Sequence, residues 1–260
     1  MHAISWIMGT ALAMASAVSS TSVLLPLYVY PETPDIWSAV YNSVASYPSV
    51  QFQIIINPSS GPGGNAASLG SNLRDGIAKL NKYENVELIG YVRTSYATRN
   101  ESEVDSDVAT YAQWSSYRQQ NLNISGIFFD EAPSDNDQTL IRYMQRVSKY
   151  AKGHHLNTTV FNPGTKVKST AYYNTASLIV EVENTYSEWT EKSPSELFSA
   201  KTSYSKDAII LYDAPLSEVN YKSVIQEASQ MGLGAAFLTN DADYKTLDSV
   251  ETVAAAFAQV

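Results

Sequence analysis

Eight short runs of β-branched and aromatic residues recur along this chain, and their regular spacing restricts the folds it can adopt. The stretches between them are longer, and residues 105–120 and 138–152 carry helical periodicity. A strand–helix repeat of about 30 residues is the unit of a parallel sheet, and eight repeats favour a closed sheet over an open one. The sequence therefore predicts a (β/α)8 TIM barrel. The eight runs begin at Leu24, Gln51, Val86, Ile124, Asn157, Ser177, Asp207 and Leu233.

The first twenty residues differ from the rest of the chain. An uncharged run of small and apolar residues, 4–18, contains Ala15-Ser16-Ala17, which has the small-residue pattern of a signal cleavage site. We expect residues 1–20 to be a secretory signal peptide and residues 21–260 to form a single barrel domain. The alternative is an apolar segment that anchors the protein or packs on it. We expect secretion, with no membrane association after signal removal, and glycosylation at the N-x-S/T sequons of Asn100, Asn123 and Asn157.

Composition excludes several kinds of site. The chain has no cysteine, which rules out thiol catalysis, disulfides and cysteine-ligated metal centres. Its 26 acidic and 17 basic residues give a net charge of −9, which argues against nucleic-acid binding. The three histidines, at positions 2, 154 and 155, do not form a metal-binding set, and the glycine-rich stretch 61–64 lacks the lysine of a phosphate loop. We therefore expect no metal and no cofactor. We also expect the protein to be a monomer.

In barrels of this type, functional side chains lie at the carboxyl ends of the strands and in the loops that follow. At those positions this chain is rich in acids, amides and tyrosines. Carboxylates and amides bind hydroxyl groups, and tyrosine offers both a flat face and a hydroxyl. This combination predicts a sugar-binding cleft. The candidate binding residues are Tyr28, Asn57, Tyr91, Arg93, Asn162, Tyr186 and Asp213.

The sixth strand ends in two glutamates, Glu181 and Glu183. Strict alternation would put both on the face inside the barrel and leave Val180 and Val182 to pack against helices. Glu183 then lies at the strand end, where a barrel enzyme places a catalytic group; the alternative is a structural ion pair. Glu181 lies one layer deeper and needs a partner, for which Arg93 is a candidate.

The fourth strand runs directly into Asp130 and Glu131. Neighbouring carboxylates raise each other's proton affinity, which helps to keep one protonated as a general acid. The alternative is that one of them caps the helix that follows near Asp135. One strand separates these acids from Glu183, so the backbones lie about 9–10 Å apart. Two carboxylates at this spacing suit glycoside hydrolysis, and the sequence leaves retention or inversion of configuration open.

Taken together, the motifs resemble spherulation-specific family 4, the spherulin-4 proteins, which form glycoside hydrolase family 135. The resemblance implies a secreted, cell-wall-associated fungal (β/α)8 enzyme that cleaves α-1,4-linked N-acetylgalactosamine inside galactosaminogalactan, a wall and biofilm polysaccharide. It places the family's acidic pair on Asp130 and Glu131 and its strand-6 glutamate on Glu183. Glu181 departs from the family, which more often has an apolar residue there. The matching segments are PLYVYP (26–31), INPSSGPG (56–63), GYVRTSYATR (90–99), GIFFDEAP (126–133), FNPG (161–164) and VEVENTY (180–186).

Our hypothesis assigns Asp130 as nucleophile or transition-state stabiliser, Glu183 as general acid/base and Glu131 as an electrostatic partner. The roles could be exchanged among the three. Two alternatives remain: a non-catalytic, carbohydrate-binding or stress-induced wall protein, and a glycosidase for another α-galactoside or galactosamine polymer. Fold alone does not separate them.

Overall fold

The computed structural model describes residues 21–199, 203–216 and 221–260, and within them eight parallel strands close into one barrel. The strands follow one another around the ring in chain order, and β1 pairs with both β2 and β8. The predicted (β/α)8 barrel is thus confirmed, whereas the predicted signal peptide, residues 1–20, lies outside the described residues. The strands are β1 (Ser22–Leu27), β2 (Phe52–Ile56), β3 (Val86–Arg93), β4 (Gly126–Asp130), β5 (Thr158–Asn162), β6 (Leu178–Thr185), β7 (Asp207–Tyr212) and β8 (Ala235–Leu238).

Helices connect most of the strands on the outside of the barrel. They are α1 (Ser38–Ser46), α2 (Ser71–Leu80), α3 (Glu101–Trp114), α4 (Gln138–Gly153), α5 (Tyr186–Glu191), α6 (Pro194–Leu197), α7 (Tyr221–Met231) and α8 (Val250–Phe257). The connection from β5 to β6 departs from the repeat, because it contains a 3-10 turn, Thr170–Asn174, where the repeat would place an α-helix. This segment is rich in serine and threonine, which have low helix propensity. None of the described helices is long and apolar enough to cross a membrane.

Side-chain caps set where the two predicted helices begin. The helix predicted over 138–152 is α4, and the Asp137 carboxylate accepts from the backbone N–H of Thr139 at 2.6 Å. The helix predicted over 105–120 is α3, which begins four residues earlier because the Asn100 side chain accepts from the N–H of Ser102 at 3.0 Å. Two acidic residues in its first turn complement the helix dipole.

Close packing fixes α3 against the barrel. Tyr111 of α3 lies against Gly90 of β3, where the Cβ of any larger residue would come within 2.7 Å of the tyrosine ring. The buried Tyr111 hydroxyl donates to the carbonyl of Ile56 at the end of β2, at 2.9 Å. Because a side chain at position 90 would push the helix away, glycine is required here. The contact holds the carboxyl ends of β2 and β3, and the loops that follow them, in place.

Candidate active site

Three adjacent strands carry polar side chains to the same layer at the carboxyl end of the barrel. Asp130, the last residue of β4, lies opposite Arg93 of β3 and opposite Asn162, the last residue of β5. Residues paired across parallel strands point to the same face. Tyr91, two residues before Arg93, shares that face and donates its hydroxyl to Asp130 Oδ2 at 2.6 Å. The aspartate is therefore positioned by both neighbouring strands.

A β-bulge in β6 decides which of its two glutamates faces the barrel interior. Val180 lies opposite Ala208, but Glu183 lies opposite Ile210, so β6 contains one extra residue over this stretch. Because Ala208 and Ile210 share a face, Val180 and Glu183 do too. The prediction that Glu181 and Glu183 share a face, with Val180 on the other, is therefore wrong: strict alternation fails at the bulge.

Glu181 is 1% exposed and bonds to loops on the outside of the strand. Its carboxylate accepts from the backbone N–H groups of Val167, at 3.0 Å, and Ser199, at 2.8 Å. The Ser199 hydroxyl donates to the same carboxylate at 2.5 Å. The suggested pairing of Glu181 with Arg93 is also wrong, because Glu181 faces out of the barrel whereas Arg93 shares the inner face with Asp130 and pairs with Glu131, Nε to Oε2, at 4.0 Å. Glu181 thus joins the loop after β5 to the segment after α6.

One amide group joins the two interior carboxylates. Asn162 Nδ2 donates to Asp130 Oδ1 at 2.8 Å and to Glu183 Oε2 at 2.7 Å. The two acceptor oxygens therefore lie no more than 5.5 Å apart. The N–H of Gly164 donates to Asn162 Oδ1 at 3.0 Å, which fixes the orientation of the amide. The predicted residues Asp130, Glu183 and Asn162 thus form one cluster.

Tyr244, which no sequence motif indicates, completes this cluster. Its hydroxyl donates to Glu183 Oε1 at 2.7 Å, so each oxygen of that carboxylate has a donor. Asp241 shapes the loop after β8 by accepting from the N–H groups of Asp243, at 3.0 Å, and Lys245, at 2.6 Å. The sequence signal for Tyr244 is weak, because it lies in a polar loop six residues after β8 ends.

Tyr28, a predicted binding residue, packs between the two tyrosine donors. Its ring centroid lies 5.7 Å from the centroids of both Tyr91 and Tyr244, in edge-to-face geometry. Burial raises the pKa of all three hydroxyls, and nearby carboxylates raise it further. Tyr91 and Tyr244 therefore remain protonated donors at neutral pH.

The environment of Glu183 favours its neutral form. Burial raises the pKa of this carboxyl, and the charge of Asp130 adds to the rise. Hydrogen bonds from Asn162 and Tyr244 favour the ionised form and limit the rise. A carboxyl with a raised pKa beside a second carboxylate is the arrangement by which enzymes separate an acid from a base.

Glu131 lies at the edge of this cluster. Its side chain is 34% exposed and has Arg93 as an ion-pair partner. Its backbone has a φ of 50°, and its carbonyl accepts from the Thr94 hydroxyl at 2.8 Å and the Tyr96 N–H at 2.6 Å. The turn after β4 therefore directs Glu131 to the rim.

The other predicted residues have separate places around the rim. Asn57 accepts from the N–H of Gly61 at 3.1 Å and so shapes the loop after β2. Tyr186 is the first residue of α5, and Asp213 follows β7 with a φ of 53°. Tyr212, which was not predicted, lies close enough to Glu183 for that charge to raise its pKa, after the larger effect of burial.

Backbone strain is concentrated at the same end of the barrel. Eight non-glycine residues in the described part of the chain have a φ between 50° and 65°. Seven of them lie in loops that follow the carboxyl ends of strands: Ser60, Ser95, Tyr96, Ala97, Glu131, Asp213 and Tyr244. This conformation is disfavoured for L-residues, and such strain clusters at functional sites. It marks the carboxyl end of the barrel as the functional face.

A closed parallel barrel with paired carboxylates at this face has the arrangement of a glycoside hydrolase-like or carbohydrate-binding barrel, and the similarity to known proteins supports that class. The chain belongs to spherulation-specific family 4, whose sequence model matches residues 22–258. It is 29% identical over 198 residues to spherulin-4 of Physarum polycephalum, covering 73% of this chain and 54% of that protein. The chain thus spans about half the length of this curated relative.

Solved structures also match this chain. Sph3 of Aspergillus clavatus, determined in complex with GalNAc, is 31% identical and superposes with a TM-score of 0.82. The match covers 92% of this chain and 98% of that chain. A β-1,4-D-mannanase of Cryptopygus antarcticus is 9% identical with a TM-score of 0.51, over 92% and 90% of the two chains, and shares the fold alone.

Proposed function

We propose that the protein is an endo-acting glycoside hydrolase that cleaves α-1,4-linked N-acetylgalactosamine in a galactosaminogalactan-type polysaccharide. The observation that carries the proposal is the pair of interior carboxylates, Asp130 and Glu183, which one asparagine amide holds no more than 5.5 Å apart at their nearest oxygens. The complex of the related Sph3 with GalNAc supports the sugar. The alternatives of a non-catalytic carbohydrate-binding wall protein and of another galactosamine polymer are outcomes of the test below.

The separation of the carboxylates supports retention of configuration. Retaining glycosidases hold their carboxyl groups about 5–5.5 Å apart, whereas inverting enzymes leave about 6.5–9.5 Å to accommodate a water molecule. The acetamido group of an α-linked N-acetylgalactosamine lies cis to the leaving group and is poorly placed to attack. The enzyme must therefore supply its own nucleophile.

The environments of the two carboxyls support their assigned roles. Asp130 accepts from two donors, Tyr91 and Asn162, which suits an ionised nucleophile. Glu183 has a raised pKa, which suits a general acid. In this mechanism, Glu183 protonates the glycosidic oxygen while Asp130 attacks the anomeric carbon. Glu183 then removes a proton from the water that hydrolyses the glycosyl–Asp130 ester. Glu131, at the rim, is the electrostatic partner of these two carboxyls.

The test is the release of reducing ends from purified, partly acetylated galactosaminogalactan. We expect release by the wild type and by a Glu84→Gln control, whose exposed side chain lies at the opposite end of the barrel. Asp130→Asn and Glu183→Gln should lose at least about 100-fold in kcat. NMR of the first product should show the α-anomer.

Each contrary outcome has a definite meaning. Full activity of folded Asp130→Asn would show that Asp130 is not the nucleophile. Binding of the polymer without release by the folded wild type would favour the carbohydrate-binding alternative. Neither binding nor release would point to a different sugar.

We also propose that the protein is secreted, glycosylated, wall-associated and monomeric. The expected signal peptide at residues 1–20 supports export, and the asparagines of all three sequons are exposed: Asn100, Asn123 and Asn157. N-terminal sequencing of protein from the culture medium and from a cell-wall extract tests secretion and wall association, mass analysis before and after deglycosylation tests the glycans, and light scattering tests the oligomeric state. Recovery in the cell fraction with residues 1–20 intact would contradict secretion.

A further inference from the structure

Tyr96 stands out at the rim of the barrel. It lies in the loop between β3 and α3, and 59% of its surface is exposed, the largest fraction among the big hydrophobic side chains that the structure describes. Its N–H donates to the carbonyl of Glu131 at 2.6 Å. This exposed ring is therefore attached to the segment that follows Asp130, at the functional face.

The backbone that carries this ring is strained. Ser95, Tyr96 and Ala97 have φ values of 50°, 54° and 65°, so three successive residues adopt the left-handed region and none of them is glycine. Side chains with a Cβ are disfavoured there, and single residues rather than runs normally visit the region. Glycine or asparagine would adopt these φ values at a lower conformational cost than serine, tyrosine or alanine. The strain points to a role for the side chain that the turn presents.

The loop is also held rigidly. The Arg99 guanidinium bonds to the Asp107 carboxylate at 2.7 Å and to the carbonyl of Arg93 at 3.1 Å. The Tyr143 hydroxyl of α4 donates to the carbonyl of Arg99 at 2.9 Å. These contacts tie both ends of the turn to the barrel and its helices. A ligand that contacts Tyr96 therefore loses little free energy in ordering the loop.

We propose that Tyr96 is the aromatic platform of an outer subsite, where it binds the face of a pyranose ring away from the cleaved bond. The proposal rests on the proposed function, because an endo-acting enzyme must hold sugars on either side of the reacting one. The apolar C–H face of a pyranose suits a flat aromatic ring, and the phenolic hydroxyl can bond to ring hydroxyls. Tyr91 and Tyr244 have a different role from Tyr96, because their hydroxyls donate to the carboxylates of Asp130 and Glu183.

The experiment compares Tyr96→Ala and Tyr96→Phe with a control, Tyr83→Ala, at the opposite end of the barrel, after thermal melting has shown that each is folded. The substrates are α-1,4-linked N-acetylgalactosamine oligosaccharides of increasing length, and monosaccharide binding is measured separately. Loss of the ring should raise KM for long chains about tenfold, as expected for one aromatic stacking contact. The kcat and the affinity for the monosaccharide should stay unchanged, and Tyr96→Phe should remain within about twofold of the wild type, since it keeps the ring.

The outcomes separate this subsite from the proposed function. Suppose that the wild type cleaves long chains. If Tyr96→Ala has the same KM for them, or binds long chains and the monosaccharide more weakly by the same factor, the proposed subsite is wrong and the proposed hydrolase function is unaffected. If the wild type neither binds nor cleaves any of these sugars, both proposals are wrong. A rise in KM that grows with chain length, absent from Tyr83→Ala, supports the subsite.

Discussion

Replacing Tyr244 with phenylalanine tests the link between geometry and proton affinity at Glu183. The change removes one hydroxyl, which donates to Glu183 Oε1 at 2.7 Å, and leaves the ring that packs against Tyr28. The hydrogen bond favours the ionised glutamate, so its loss should raise the pKa of Glu183 further.

The magnitude follows from the strength of this bond in the two protonation states. A hydrogen bond to a charged group contributes about 1.5–3 kcal/mol, and one between neutral groups about 0.5–1.5 kcal/mol. The two ranges differ by about 1–1.5 kcal/mol, which is close to the ~1.36 kcal/mol of a tenfold change in proton affinity. If protonated Glu183 is the general acid, the alkaline limb of the kcat/KM profile should move upward by about one pH unit. The acid limb should stay in place.

The assay is the pH dependence of reducing-end release by wild type, Tyr244→Phe and a Tyr83→Phe control. An alkaline limb that stays in place in folded Tyr244→Phe would refute the reasoning. Movement of the acid limb alone would reverse the assigned roles, because Glu183 would then act in its ionised form.

Three further predictions concern other parts of the cluster and its support. Asn162→Ala removes the amide that joins both carboxylates and should lower kcat at least about 100-fold; a change within about twofold would mean that the bridge is dispensable. Because the pKa of Glu183 is raised in the folded protein, protonation of this carboxyl stabilises the fold. That stability is fully present below about pH 4 and is lost as the pH rises through the pKa that Glu183 has in the folded protein. Glu183→Gln should therefore melt higher than the wild type at pH 7 but not at pH 4, and equal differences at both would contradict this. Glu181→Ala leaves the buried N–H of Val167 and the part-buried N–H of Ser199 without their acceptor and should lower the free energy of unfolding by about 1–3 kcal/mol or more in urea titrations; an unchanged value would show that water replaces the carboxylate.

Local sequence predicted the barrel and selected several residues that the structure brings together in the candidate site. The strands could be read because burial of a strand requires a run of apolar residues, which is a property of the strand itself. Asp130 and Asn162 could be selected because each ends such a run. The start of α3 was missed by four residues, although Asn100 offered a capping signal. The missing α-helix between β5 and β6 was also not foreseen.

The sequence by itself determined the number of strands, the barrel and the residues that reach its carboxyl end, since these depend on the residues of each segment alone. Only the tertiary structure decided which side chains meet there. The bulge that turns Glu183 inward and Glu181 outward is a relation between β6 and β7, so no pattern within β6 contains it. Tyr244 reaches Glu183 across 61 residues because β6, β7 and β8 lie side by side in the barrel, which brings the loop after β8 near the end of β6. Contacts of this kind follow from how strands pair in space.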